Sequence, residues 1–166
     1  MKRIIAIALI SYFAYALEFL LYNFWGPWGR WLKPELMLLV VIFFNLYLGI
    51  RFSIIAALFC GIFKDASGIA PFGTYLLVYL SASYLTTFVR RYLYEPGSRF
   101  SRIVVVFCVV VGCFIVQTVL ANMGRQVALG PSLVYILVPQ LLTTLAAATY
   151  VFAQLKNISV FFTLKG

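Results

Sequence analysis

The chain has 166 residues, 64% of them hydrophobic and only 10% charged, with a mean hydropathy of +1.04. A soluble domain carries about 25% charged residues, so this composition excludes one and makes lipid the solvent. The net charge of +9 sets 13 Lys and Arg against Glu18, Glu35, Asp65 and Glu95.

The basic residues sit at the ends of apolar runs. Membrane topology and anionic headgroups explain that placement, and no nucleic-acid footprint is present. A single polytopic transmembrane domain over residues 1–166 is expected. His is absent, and Cys60, Cys108 and Cys113 lie apart within apolar stretches. They read as small buried hydrophobes, with no metal and no cofactor expected.

Lys2-Arg3 and the following apolar residues imitate a secretory signal, with Ala14-Tyr15-Ala16 as its cleavage site. The run continues to Tyr22, however, so it reads as an uncleaved anchor. A helix needs about 20 apolar residues to cross a bilayer, and Ile4 to Tyr22 meets that need. Trp25, Trp28 and Trp31 follow in a Gly- and Pro-containing connection that suits the headgroup level.

Pro34 and Glu35 open the second run, Glu35 to Ile50, where a carboxylate favours the helix N-terminus. Arg51 separates it from a shorter third run, Phe52 to Phe63, which a tilted or re-entrant hairpin also fits. The fourth run is Thr74 to Val89. A polar stretch from Arg90 to Arg102 precedes the fifth, Ile103 to Asn122. Gly124, Arg125, Gly130 and Pro131 mark a loop before the sixth, Ser132 to Gln154.

Six crossings put both termini on one side. With that side cytoplasmic, Lys2, Arg3, Arg51, Arg90, Arg91, Arg99, Arg102, Lys156 and Lys165 lie inside. Arg30, Lys33, Lys64 and Arg125 lie outside, and the imbalance obeys the positive-inside rule.

Lipid is as apolar as Leu, so small and polar residues select helix neighbours. Ser53, Ala57 and Gly61 form such a seam on the third run, and Gln140, Thr144 and Ala148 form one on the sixth. Ser83 and Thr87 share a face of the fourth, with Ser81 nearby. Asn45, Gln117, Asn122 and Gln140 either line a cavity or bond between helices. Glu18 belongs at the bundle or the outer interface; the interface is the simpler placement, and Arg30 or Lys33 could pair with it there.

Isolated carboxylates, no His and no phosphate loop leave no arrangement for catalysis. A non-enzyme is expected. The stretch from Gly61 to Gly73 stands apart, because it joins an ionisable Asp65 to Gly68, Pro71 and Gly73 where an apolar helix would continue. Both features are costly in hydrocarbon unless protein or water surrounds them. Asp65 either caps the start of the fourth helix, through N–H groups near residues 67 and 68 or at the next helix, or contacts a partner.

Pro34-Glu35-Leu36, Gly61, Asp65-Ala-Ser-Gly68, Pro71-Phe72-Gly73 and the closing Arg90-Arg91, in this order, resemble the MreD family. The likeness covers roughly Pro34 to Glu95. It implies a bacterial inner-membrane scaffold of the elongation machinery that organises side-wall peptidoglycan synthesis and rod shape. It further implies MreC as the partner, with links to MreB, RodA and the RodA transpeptidase partner, and a fold like the six-helix substrate-binding component of energy-coupling-factor transporters. Membrane lipids and a homo-oligomer complete the expected partners. The competing reading is a vitamin-binding subunit of such a transporter.

Overall fold

The computed structural model describes residues 2–24, 34–67, 71–94, 98–124 and 132–163. They form α1 (Lys2–Phe24), α2 (Leu36–Leu48), α3 (Ile50–Ala66), α4 (Thr74–Leu93), α5 (Arg99–Gly124) and α6 (Ser132–Thr163). Among the described residues the fold is all-helical. Stretches of α1, α5 and α6 (Ile4–Leu21, Phe100–Leu120 and Val138–Leu155) are long and apolar enough to cross a membrane.

The shortest helix holds the centre. α2 has 13 residues, about 20 Å at the α-helical rise. It is apolar on every side, and a helix hydrophobic all round is stable only when covered all round. Every residue from Leu36 to Leu46 is buried, and α2 touches each of the other five helices. Phe43 shows how the wrapping is packed, stacking on Phe152 of α6 at 5.9 Å between ring centres.

Helix directions alternate along the chain. Ser53 of α3 meets Val41 of α2, Gly61 meets Leu76 of α4, and Ser101 of α5 meets Leu93 of α4. Each pair straddles its intervening turn, as in an antiparallel hairpin. α2 and α6 run parallel, with Glu35 beside Gln140 and Phe43 beside Phe152. One end of the bundle therefore carries Glu18, Glu35, Lys64 and Asp65. The other carries Asn45, Arg51, Arg90 and Arg102.

The breaks differ from those expected. Gly49, not Arg51, divides the second run from the third, with φ 90° and ψ 175°. That left-handed φ strains any residue with a Cβ, so the chain turns where glycine allows it. Arg51 lies within the first turn of α3, and α3 continues past Phe63 to Ala66. Lys64 and Asp65 are thus helical, because both find partners inside the bundle and need no loop. Of the expected break, Ser67 and 71–73 are described as non-helical, and Gly68 lies outside the described residues. Trp25, Trp28, Trp31, Arg30, Lys33 and Arg125 lie outside them too.

Candidate functional site

The acidic end of the bundle is built on Asp65, whose side chain is buried near the end of α3. Its Oδ2 accepts the N–H groups of Gly73 at 2.9 Å and Leu76 at 3.2 Å, and its Oδ1 accepts that of Tyr75 at 3.0 Å. These are donors that the first turn of α4 cannot satisfy itself. The cap therefore comes from the preceding helix, at the next helix's start rather than near residues 67 and 68. Gly73 makes the approach possible with φ 96°, and Pro71 closes the turn by accepting from Thr74 N at 3.1 Å.

Gly61 sets the spacing of the two helices that Asp65 ties. A Cβ added there would lie 2.6 Å from the Cα of Leu76. The backbones of α3 and α4 are in contact at that point. Ala57 is fully buried on the same stripe, and Ser53 donates to the Val41 carbonyl of α2 at 3.1 Å. The small-residue seam thus serves two neighbours, α4 at Gly61 and α2 at Ser53.

Beside Asp65 lies a buried ion pair. Lys64 Nζ stands 2.7 Å from Glu18 Oε1, with side-chain exposures of 5% and 7%. The ammonium also lies 5.1 Å from the Tyr75 ring centre and 5.8 Å from that of Tyr79. Ring faces attract a cation that has left water. This corrects two expectations. Glu18 is not an interfacial charge, because α1 packs it against α3, and Lys64 is not a loop charge of the outer face. A carboxylate and an ammonium removed from water must find each other.

A sequence signal for this pair existed. Glu18 and Lys64 lie about 24 and 21 Å along their helices, counted from Lys2 and Ile50 at the α-helical rise. Opposite charges at matching depth in two helices of the same direction are natural partners.

Glu35, the residue at the α2 N-cap, links the centre to α6. Its Oε1 accepts from Gln140 Nε2 at 2.9 Å, and its N–H donates to Thr144 Oγ1 at 3.3 Å. Pro34 precedes it, and its carbonyl accepts from Leu36 N at 3.1 Å. The Gln140, Thr144, Ala148 stripe therefore faces α2. Gln140 bonds between helices instead of lining a cavity.

The opposite end is closed by Asn45. Its Nδ2 donates to the Ser83 carbonyl at 2.7 Å and to Thr87 Oγ1 at 2.9 Å, and its own carbonyl accepts from Arg90 Nη1 at 2.8 Å. Partial burial raises the phenol of Tyr94, whose ring centre lies 6.0 Å from the Arg90 guanidinium. The bundle is thus tied at both ends of its central helix, by acidic groups at one and amide and guanidinium groups at the other.

A family model described as rod shape-determining protein MreD matches residues 1–155. The chain belongs to the MreD family. That membership gives it a role in rod shape determination and makes it a membrane protein of a structural, not a known enzymatic, family. The match extends across the outer helices, well beyond the motifs between Pro34 and Glu95. It lends no support to the vitamin-binding alternative. No curated protein and no solved structure matches the chain.

Proposed function

We propose that this MreD-family chain is an integral scaffold of the bacterial elongation machinery, embedded in the inner membrane, that binds MreC and helps organise side-wall peptidoglycan synthesis. MreB, RodA and the RodA transpeptidase partner are reached through the same assembly. The reading has all six helices crossing the bilayer, both termini cytoplasmic, and a layout like the transporter component named above. Its support is the alternating order of six helices, with Arg51, Arg90 and Arg102 at one end of the bundle and the described carboxylates at the other.

One observation carries the scaffold reading. The buried polar side chains at both ends of α2 join helices to one another, so among the described residues α1 and α4 turn mainly apolar faces outward. α1 presents Ile5, Leu9, Phe13 and Leu20, and α4 presents Leu77, Tyr84, Phe88 and Tyr92, all exposed. Helices of partners meet such faces through packing in lipid.

Cysteines placed singly at Leu9, Phe13, Tyr84 and Phe88 test this by crosslinking in cells that express MreC. One of the two helices should yield an MreC adduct and the other none. Equal adducts from all positions, or none with MreC present, would defeat the assignment. A homo-oligomer would appear in the same experiment as an adduct of twice the chain mass.

A further inference from the structure

A groove of about 440 Å³ runs between α5 and α6 at the basic end of the bundle. Its volume falls in the range of about 300–1,000 Å³ that ligand sites occupy. Val106, Ala148 and Phe152 are buried and make its floor, while Ile103 and Ala153 are exposed and make its rims. Apart from Arg102 and the exposed Thr149 the lining is apolar, and the groove is wide enough to admit a chain-like group. Arg102 stands at its end.

The polar contacts of Arg102 leave it available. Nε donates to the Ser98 carbonyl and Nη1 to Tyr47 Oη, both at 3.4 Å, the long limit of a hydrogen bond. Nη2 has no partner among the described residues. Tyr47 accepts in that contact and keeps its own O–H to donate. Arg90 lies at the same end of the bundle, its guanidinium 6.0 Å from the Tyr94 ring centre. The described carboxylates, Glu18, Glu35 and Asp65, gather at the opposite end of the bundle, so none of them neutralises these guanidiniums.

We propose that the groove between α5 and α6 is a binding site for an anionic diacyl phospholipid, with the phosphate on Arg102 and Tyr47 and an acyl chain over Val106, Ala148 and Phe152. Charge complementarity selects the occupant. A guanidinium fork matches phosphate oxygens, and a groove open to the bilayer admits hydrocarbon. A zwitterionic headgroup brings its own ammonium to the same arginines and is disfavoured. The lipid fills the gap between α5 and α6 and joins them to α2 through Tyr47.

The test is native mass spectrometry of the purified full chain, loaded with phosphatidylglycerol, phosphatidylethanolamine or a polyprenyl phosphate at equal concentrations. Phosphatidylglycerol should be retained over phosphatidylethanolamine. Arg102→Gln should lower its occupancy about fivefold, the effect of one basic residue at an anionic membrane surface. Arg102→Lys should retain more than the Gln variant. Ala153→Trp, which leaves every charge in place and fills the groove, should lower occupancy as well. If Arg102→Gln fails to fold, the Trp variant still decides.

Equal retention of the two phospholipids, or full retention in both variants, overturns the site. Displacement of phosphatidylglycerol by the polyprenyl phosphate overturns the diacyl assignment. A complete crosslink from Ala153→Cys to another protein in native membranes shows a helix in the groove and overturns it too.

Discussion

Glu18 and Lys64, 46 residues apart in the chain, share a 2.7 Å contact inside the bundle. The pair fastens α1, the peripheral first helix, to α3. Breaking a buried ion pair leaves one charge without a partner, and that costs about 3–5 kcal/mol. Glu18→Gln should therefore lower the unfolding temperature in detergent sharply. Glu18→Gln combined with Lys64→Met should recover part of the loss, because no isolated ammonium remains. If the double variant is no more stable than the single, charge pairing does not explain the contact.

Asp65 accepts through both oxygens, so its two common replacements should differ in a graded way. Asp65→Ala abandons three N–H groups of the Gly73–Leu76 turn. A bond to a charged group contributes about 1.5–3 kcal/mol, which sets the least that the Ala variant should lose. Asn is an effective N-cap where one oxygen suffices, but here its amide would turn a donor toward another donor. Asp65→Asn should fall midway between wild type and Ala in thermal stability and in restoring rod shape to cells lacking the protein. Asn as harmful as Ala would point to the charge, and a partner cation, in place of the cap.

Gly61 and Gly112 should respond differently to the same substitution. At Gly61 the obstacle is the Leu76 backbone, which cannot move without separating α3 from α4. At Gly112 it is the end of the Leu85 side chain, which can rotate away. Overpacking costs about 1–3 kcal/mol where neighbours cannot yield. Gly61→Ala should reach that range and Gly61→Leu should prevent assembly, while Gly112→Ala stays near wild type. Equal unfolding temperatures for the two Ala variants would remove the close approach from the account.

Gly97→Cys and Ala128→Cys, in segments outside the described residues, test the proposed topology. A membrane-impermeant maleimide should label position 128 in intact cells and position 97 only after the inner membrane is opened. Labelling of both from the same side is incompatible with six crossings.

Composition and run length alone made this a helical membrane chain, since so few charges cannot cover a soluble surface. The order of Pro34-Glu35, Gly61, Asp65 and Pro71-Gly73 pointed to the family, and small residues at helical spacing marked Gly61 as a place of close approach. Those features are local, so they are legible along one strand of text. Hydropathy marked the third run as the short one, and only the packed bundle shows that α2 is the shortest helix and lies at the centre. It likewise took the packing to set Glu18 against Lys64 and to bring the α4 N–H groups to Asp65. Contacts between distant residues depend on which helix faces meet, and in lipid the hydrophobic effect does not choose among apolar faces. Backbone approach, hydrogen bonds and the pairing of buried charges make that choice, and they exist only once the helices are assembled.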